Sequence, residues 1–223
     1  METLNPRWRE TLPTLLAFIA AFVDTLGFIA LFGLFTAHVT GNFVLIGAAI
    51  AGASGGVVLK LLAFPAFVVA VAATRLFVLW LERRQQPALR PVLWLQTLLL
   101  GCFGAVGWHG APIANEHAPA AIAAGLLAAA AMGVQNAASR LLLAGSTPTT
   151  VMTVTVTQLV IDAVDLLRGG ADQALRRRFV LLAWPVVAFA LGAISAALAY
   201  PRVGYSALML PVAMLGVLAL RVR

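Results

Sequence analysis

Charge is what this sequence has least of. Eight acidic and fifteen basic residues make up 10% of 223 positions, against 62% hydrophobic residues, and mean hydropathy is +0.98. So few charges cannot cover the surface of a water-soluble domain of this size, which excludes that class. Cysteine is nearly absent too. Cys102 stands alone, so no internal disulfide can form, and in its apolar run it reads as a small packing residue. No Ser/Pro/Gly-rich linker interrupts the chain, so residues 1–223 are expected to form a single integral membrane domain. The motifs of soluble enzymes are missing: no Walker sequence, no Gly-x-Gly-x-x-Gly after a strand, no Cys-x-x-Cys and no His-Glu-x-x-His. Gly145-Ser146-Thr147 reads as a loop and not as a nucleophile elbow. No small-residue cleavage site follows a short apolar stretch at the N-terminus, so the first apolar segment reads as an uncleaved span. The net charge of +7 does not point to nucleic acid. The arginines sit mainly at segment ends, where anionic headgroups and the positive-inside rule account for them.

Long apolar runs are what the chain has in abundance. Eight occur, at about 12–36, 38–58, 61–81, 92–109, 119–143, 149–167, 179–200 and 204–220, several reaching the roughly 20 residues that cross a bilayer. Arginine placement orients them. Arg83, Arg84 and Arg90 lie in one connection and Arg168, Arg176, Arg177 and Arg178 in another, with Arg7, Arg9, Arg221 and Arg223 in the tails. The 109–118 connection has no Lys or Arg. The basic regions and both termini are therefore expected in the cytoplasm and the 109–118 loop outside. An even number of crossings must join the N-terminus to the 82–91 connection, so one of the first three stretches does not cross. The 38–58 stretch, broken by Thr40-Gly41-Asn42 and four glycines, is the natural one. The same count makes 149–167, rich in threonine, the second. The expected fold is an all-α polytopic membrane protein with six transmembrane helices and two re-entrant or broken half-helices.

The two weak segments look related. Ala63-Phe64-Pro65-Ala66-Phe67-Val68-Val69-Ala70 resembles Ala183-Trp184-Pro185-Val186-Val187-Ala188-Phe189-Ala190, and each follows a threonine-bearing segment that itself follows a span with a polar residue. An internal duplication is expected, repeat 1 at about 12–110 and repeat 2 at about 119–221, inverted because one half starts inside and the other outside.

Phe22-Val23-Asp24-Thr25-Leu26-Gly27-Phe28 and Leu34-Phe35-Thr36-Ala37-His38-Val39-Thr40-Gly41-Asn42 resemble the YoaK-like family of uncharacterised bacterial six-span membrane proteins. Ala131-Met132-Gly133-Val134-Gln135-Asn136-Ala137-Ala138 and Thr149-Thr150-Val151-Met152-Thr153 resemble it as well, except that Thr153-Val154 stands where the family usually has Thr-Gly. The resemblance covers nearly the whole chain. It implies a bacterial inner-membrane location and six spans, and no particular activity.

The polar residues inside apolar segments are the candidate site, because lipid cannot satisfy them. Asp24 falls near the middle of the first stretch. It is either a proton or cation coupling site or a neutral or Arg-paired helix lock, with Arg75 and Arg140 as the available partners. His38 is either a proton relay or an interfacial residue at the mouth of the break. Thr40, Gly41 and Asn42 fit the N-terminus of a half-helix, whose partial positive charge suits an anion or polar ligand; the plain alternative is an N-cap with packing through Gly41 and Gly47. In the second half Gln135 and Asn136 are the counterparts. Thr150, Thr153 and Thr157 share one helical face, and Gln158, Asp162 and Asp165 a second. The threonines can line a pathway or bond back to their own helix. Asp162 and Asp165 read as solvated residues, and the alternating run Val151–Thr157 leaves extended backbone open. His109, Glu116 and His117 have no metal-ligand spacing, so no metal and no cofactor is expected.

Three function classes remain. The first is a channel or secondary transporter for a small polar or anionic solute, coupled to protons through Asp24, its pathway lined by the two polar regions. The second is an intramembrane enzyme acting on a lipid or other hydrophobic substrate, with Asp24 and His38 as acid and base. The third is a membrane scaffold without its own pathway. The expected partners are the lipid bilayer and a small-molecule solute, and so small a bundle is compatible with a homo-oligomer.

Overall fold

The computed structural model describes residues 6–52, 55–143, 147–150, 152–169 and 172–222, with side chains from Glu10 onward. Gly145-Ser146, Val151, Arg223 and the side chains of Arg7 and Arg9 lie outside the described residues. Every described regular element is helical. The chain runs α1 (Pro6–Ala30), α2 (Gly41–Ile50), α3 (Val57–Arg83), α4 (Leu89–Gly110), α5 (Pro119–Leu141), α6 (Thr153–Leu167), α7 (Gln173–Val203), a 3-10 turn (Gly204–Leu208) and α8 (Met209–Arg221). Each apolar stretch of the sequence thus becomes one α-helix, the last with a 3-10 turn before it, although α1 ends six residues earlier than its apolar run. Phe32 and Gly33 adopt positive φ there, at 54° and 75°, and a right-handed helix cannot continue through them.

Local chemistry explains the other ends. Asp172 caps α7, its side chain accepting the Leu175 N–H at 2.7 Å. Pro119 occupies the first position of α5, where its missing N–H costs nothing. Gly56 stands before α3 at φ 75°, and Gly204 separates α7 from the 3-10 turn at φ 57°.

Length and composition divide the helices. Glu10–Ala30, Val57–Arg83, Leu89–Gly110, Pro119–Leu141 and the continuous Gln173–Arg221 segment are long and apolar enough to cross a membrane. Helix α2, with ten residues, is about 15 Å long and α6, with fifteen, about 22 Å, both short of a hydrocarbon core of about 30 Å.

Helices α1 and α5 form the centre. Leu12, Leu16, Ile19, Phe22, Val23 and Leu26 of α1 are all buried, as are most residues of α5. Helix α1 packs along α7, α5 along α3 and α4, and α4 along α8, while α2 rests on α3 and α6 on α7. The outer helices α3 and α7 expose Leu61, Val69, Leu76, Trp80, Trp184, Leu191, Ile194 and Leu198. That surface is unfavourable in water and suited to acyl chains.

Candidate functional site

Asp24 organises the connection that follows α1. It sits six residues from the end of that helix, nearer its C-terminus than the middle of the apolar run implies. One carboxyl oxygen accepts the backbone N–H groups of Thr36 at 2.6 Å and Ala37 at 2.7 Å and the Thr36 hydroxyl at 3.2 Å. The other oxygen meets His38 Nδ1 at 2.7 Å. Asp24 is therefore an acceptor hub, 5% exposed. Arg75 and Arg140 are not its partners. Arg75 is exposed and lies 3.9 Å from Glu82, and Arg140 is also exposed. The helix break, and not a facing helix, supplies the donors.

Asn42 closes the same connection from the other side. It accepts the Phe35 N–H at 2.9 Å and donates to the Phe35 carbonyl at 2.7 Å. Thr40, by contrast, is exposed and makes no side-chain cap. The first N–H groups of α2 are already taken: Gly41 donates to His38 O, Asn42 to Val39 O and Phe43 to Thr40 O. The expected anion-seeking helix terminus is thus occupied by its own preceding turn. Gly41 packs against the Phe35 ring, which a Cβ would meet at 3.2 Å, whereas Gly47 faces open space and carries no packing.

His38 lies in the connection, outside the spanning helices, and is about one-third exposed. Its hydrogen bond to the Asp24 carboxyl raises its pKa above the ordinary value, against a smaller opposing effect of burial. A raised imidazole stabilises the fold below the ordinary value of about 6.5, and that contribution is lost as pH rises through the folded value. The thermal unfolding midpoint should therefore fall as pH rises through that window. His38→Gln should remove the slope; an unchanged slope would show that another group titrates.

A second polar cluster joins α5 to its neighbours. Gln135, fully buried, accepts from Gln96 at 2.6 Å and donates to the Leu16 carbonyl of α1 at 2.9 Å and to Thr149 Oγ1 at 3.2 Å. Asn136 Oδ1 accepts the Thr150 hydroxyl at 2.7 Å. Thr150 therefore does not share a helical stripe with Thr153 and Thr157, because α6 begins only at Thr153. Thr157 is exposed and bonds back to the Thr153 carbonyl. Thr153 to Thr157 is helical, so that part of the alternating run is not extended backbone; Val151 lies outside the described residues.

The start of α7 is tied by charge to α6 and α1. Asp162, fully buried, receives a two-pronged hydrogen bond from Arg178 at 2.6 and 2.8 Å and a third from Gln158 at 2.7 Å. It is not the solvated residue its neighbours in sequence suggest; only Asp165 is exposed. The Arg178 guanidinium, helped by Gln158, holds the Asp162 carboxyl below the usual carboxylate range. Arg177 reaches Glu10 of α1 at 2.7 Å. Among the described residues, no group of three His, Cys, Asp or Glu is placed to hold a metal.

Sequence reasoning missed Lys60, Gln96 and Arg178. Lys60 had a readable signal, a charge in the first turn of an apolar helix, and so did Gln96 within its apolar run.

An all-helical bundle with long apolar spans, a lipid-suited exterior and internally satisfied polar clusters defines a multi-pass membrane protein. The chain belongs to the family described as "Protein of unknown function (DUF1275)", whose model matches residues 12–221. It is 30% identical over 211 residues to the UPF0700 transmembrane protein YoaK of Bacillus subtilis (strain 168), covering 93% of this chain and 91% of that protein. No solved structure matches it.

Proposed function

We propose that the chain is a channel or secondary transporter for a small polar or anionic solute, built from inverted repeats. The observation that carries this reading is a matched pair of helix breaks. Asp24 bonds to His38 and Asn136 bonds to Thr150, in each case fourteen residues on and at 2.7 Å. Each member of the second set lies 112 positions after its counterpart: 24 and 136, 38 and 150, and the half-helix starts 41 and 153. The packing supports the same exchange, since α1 lies on α7 while its counterpart α5 lies on α3, the counterpart of α7. On this reading α1, α3, α4, α5, α7 and α8 with its preceding turn make six crossings, and α2 and α6 are the half-helices. Repeats with discontinuous helices are a common plan of transporters, because broken backbone at depth is tolerated where protein or a water-filled cavity surrounds it.

The Asp24–His38 pair is the proton-bearing element of this reading, and the solute pathway runs between the two breaks. The arginine-rich end faces the cytoplasm of a bacterial inner membrane. Reconstituted protein should support flux of at least one of acetate, lactate, glycerol and glycine into liposomes, increased by a pH gradient. Asp24→Asn should cut the gradient-dependent part at least tenfold while the protein stays folded. Absence of flux for every probe from folded protein would remove the transport reading.

One observation favours an enzyme as the second reading. Asp24 engages His38 Nδ1, which leaves Nε2 of a partly exposed imidazole available as a general base. Hydrolysis of a lipid ester by the wild type, lost in His38→Gln, would put that reading first.

A further inference from the structure

The two helix breaks are held by different chemistry. At the first, residues 34–40 form a strap that turns back beside α1 and is pinned at both ends. Asp24 takes the Thr36 and Ala37 N–H groups and the His38 ring, and Asn42 takes both backbone groups of Phe35. Left-handed backbone bounds this unit, Phe32 and Gly33 before it at φ 54° and 75°, and Gly52 after α2 at φ 78°. Element ends of this kind are where a hinge can turn. Helix α2 has a shallow seat. Asn42 is its one buried residue, Phe43 meets Phe64 of α3 with ring centroids 5.0 Å apart, and Val44 and Ile50 are exposed. Elements with so few buried contacts open locally, so the strap's hydrogen bonds matter most to the attachment of α2.

His38 is the titrating member of the strap. Its ring is about one-third exposed, so protons reach it. It meets the Asp24 carboxyl of α1, the Phe35 ring of its own strap and, edge-on at 5.7 Å, the Phe189 ring of α7. Among the described residues Asp24 is the charged group that acts on it, and α7 faces it with an apolar ring. A protonated imidazole makes a charge-assisted bond to the carboxyl, roughly twice as strong as the neutral one. Deprotonation leaves that bond made but weakened.

The second break has no such group. Gln135 donates to Thr149 Oγ1 and Asn136 accepts from the Thr150 hydroxyl, amide against hydroxyl at two consecutive positions. Amides and hydroxyls of these types do not ionise near neutral pH. Farther along α6, Asp162 and Arg178 stay ionised there as well. The breaks are also separated. Gln135 reaches α1 at Leu16, eight residues and about 12 Å along the helix from Asp24.

We propose that the two breaks are gates of different kinds: the 34–40 strap and α2 are released as His38 loses its proton, while Thr149 and Thr150 stay latched to α5 whatever the pH. The proposal deepens the transport reading, on which its place in a cycle rests, by assigning the pH response to one break. The local opening itself rests on the hydrogen bonds. Its direction is fixed. The closed strap raises the imidazole pKa, so it is tightest at low pH and opens as pH rises.

Hydrogen exchange on the full chain in lipid nanodiscs tests this, because the Thr36 and Ala37 amides are the ones Asp24 holds. After correction for the intrinsic rate, their exchange should rise about threefold or more between about pH 5.5 and about pH 8.5, the range in which histidine titrates. The Thr149 and Thr150 amides should stay level. His38→Gln keeps a donor toward Asp24 without a titrating group and should flatten the response at Thr36 and Ala37. The comparison of the two breaks in the wild type stands without any variant. A level response at Thr36 and Ala37, an equal rise at both breaks, or a rise that survives in His38→Gln would each overturn the proposal. A rise at the first break alone, in protein that passes none of the flux probes, would sustain the gate while sinking transport.

Discussion

Asp24→Ala should destabilise the protein by about 3 kcal/mol or more. The substitution strips the acceptor from two backbone N–H groups, those of Thr36 and Ala37, both in buried residues. Each buried donor left without a partner costs about 1–3 kcal/mol. The Thr36 hydroxyl and His38 lose their partner as well. Asp24→Asn should cost less than half as much, since its amide oxygen still accepts the backbone donors while its NH₂ turns to His38. Chemical unfolding in detergent measures both differences. Proteolysis should report the same ranking within the 31–40 connection, which the alanine variant releases from α1. Equal stability of Asp24→Ala and wild type would mean that these hydrogen bonds hold nothing together.

The second large effect is expected at a helix crossing. Gly192 of α7 lies against the backbone of α1, so close that a Cβ would stand 2.2 Å from the Phe18 carbonyl oxygen and 3.0 Å from its carbon. A backbone carbonyl cannot step aside as a side chain can. Gly192→Ala must therefore push α7 off α1 along the contact that joins them. Overpacking of this kind typically costs about 1–3 kcal/mol, and this geometry places the variant at the upper end or beyond. Gly216 of α8 serves as the control. Nothing lies within 4 Å of its Cβ position, so Gly216→Ala should be neutral or slightly stabilising through helix propensity. Thermal unfolding of the two variants side by side separates the clash from the general effect of adding a methyl group to a membrane helix. A neutral Gly192→Ala would show that α7 is not seated on α1 at this residue.

Much of the architecture is legible in the chain because it depends on short windows. Apolar runs of the right length become helices α3, α4, α5 and α7, and the glycines and polar residues of 38–58 shorten that stretch to α2. The polar residues Asp24, His38 and Asn42 could be singled out because they stand in apolar surroundings, and the structure does bring these three together around residues 35–37. Thr153 and Thr157 were not brought to the second cluster, since Thr150 belongs to the turn before α6 and they belong to the helix itself.

By itself, then, the sequence determined the class and the approximate course of the apolar helices, because hydropathy and length act through neighbours along the chain. Only the tertiary structure decided the partners. It gave Asp24 to a histidine and two backbone amides instead of Arg75 or Arg140, buried Asp162 against Arg178, and set the Lys60 ammonium on the Phe32 carbonyl. Charged groups in a low-dielectric interior must find a partner, but any of several is compatible with the same apolar pattern. Which one is met depends on how α1, α3, α6 and α7 pack, and that is set by contacts between residues far apart in sequence.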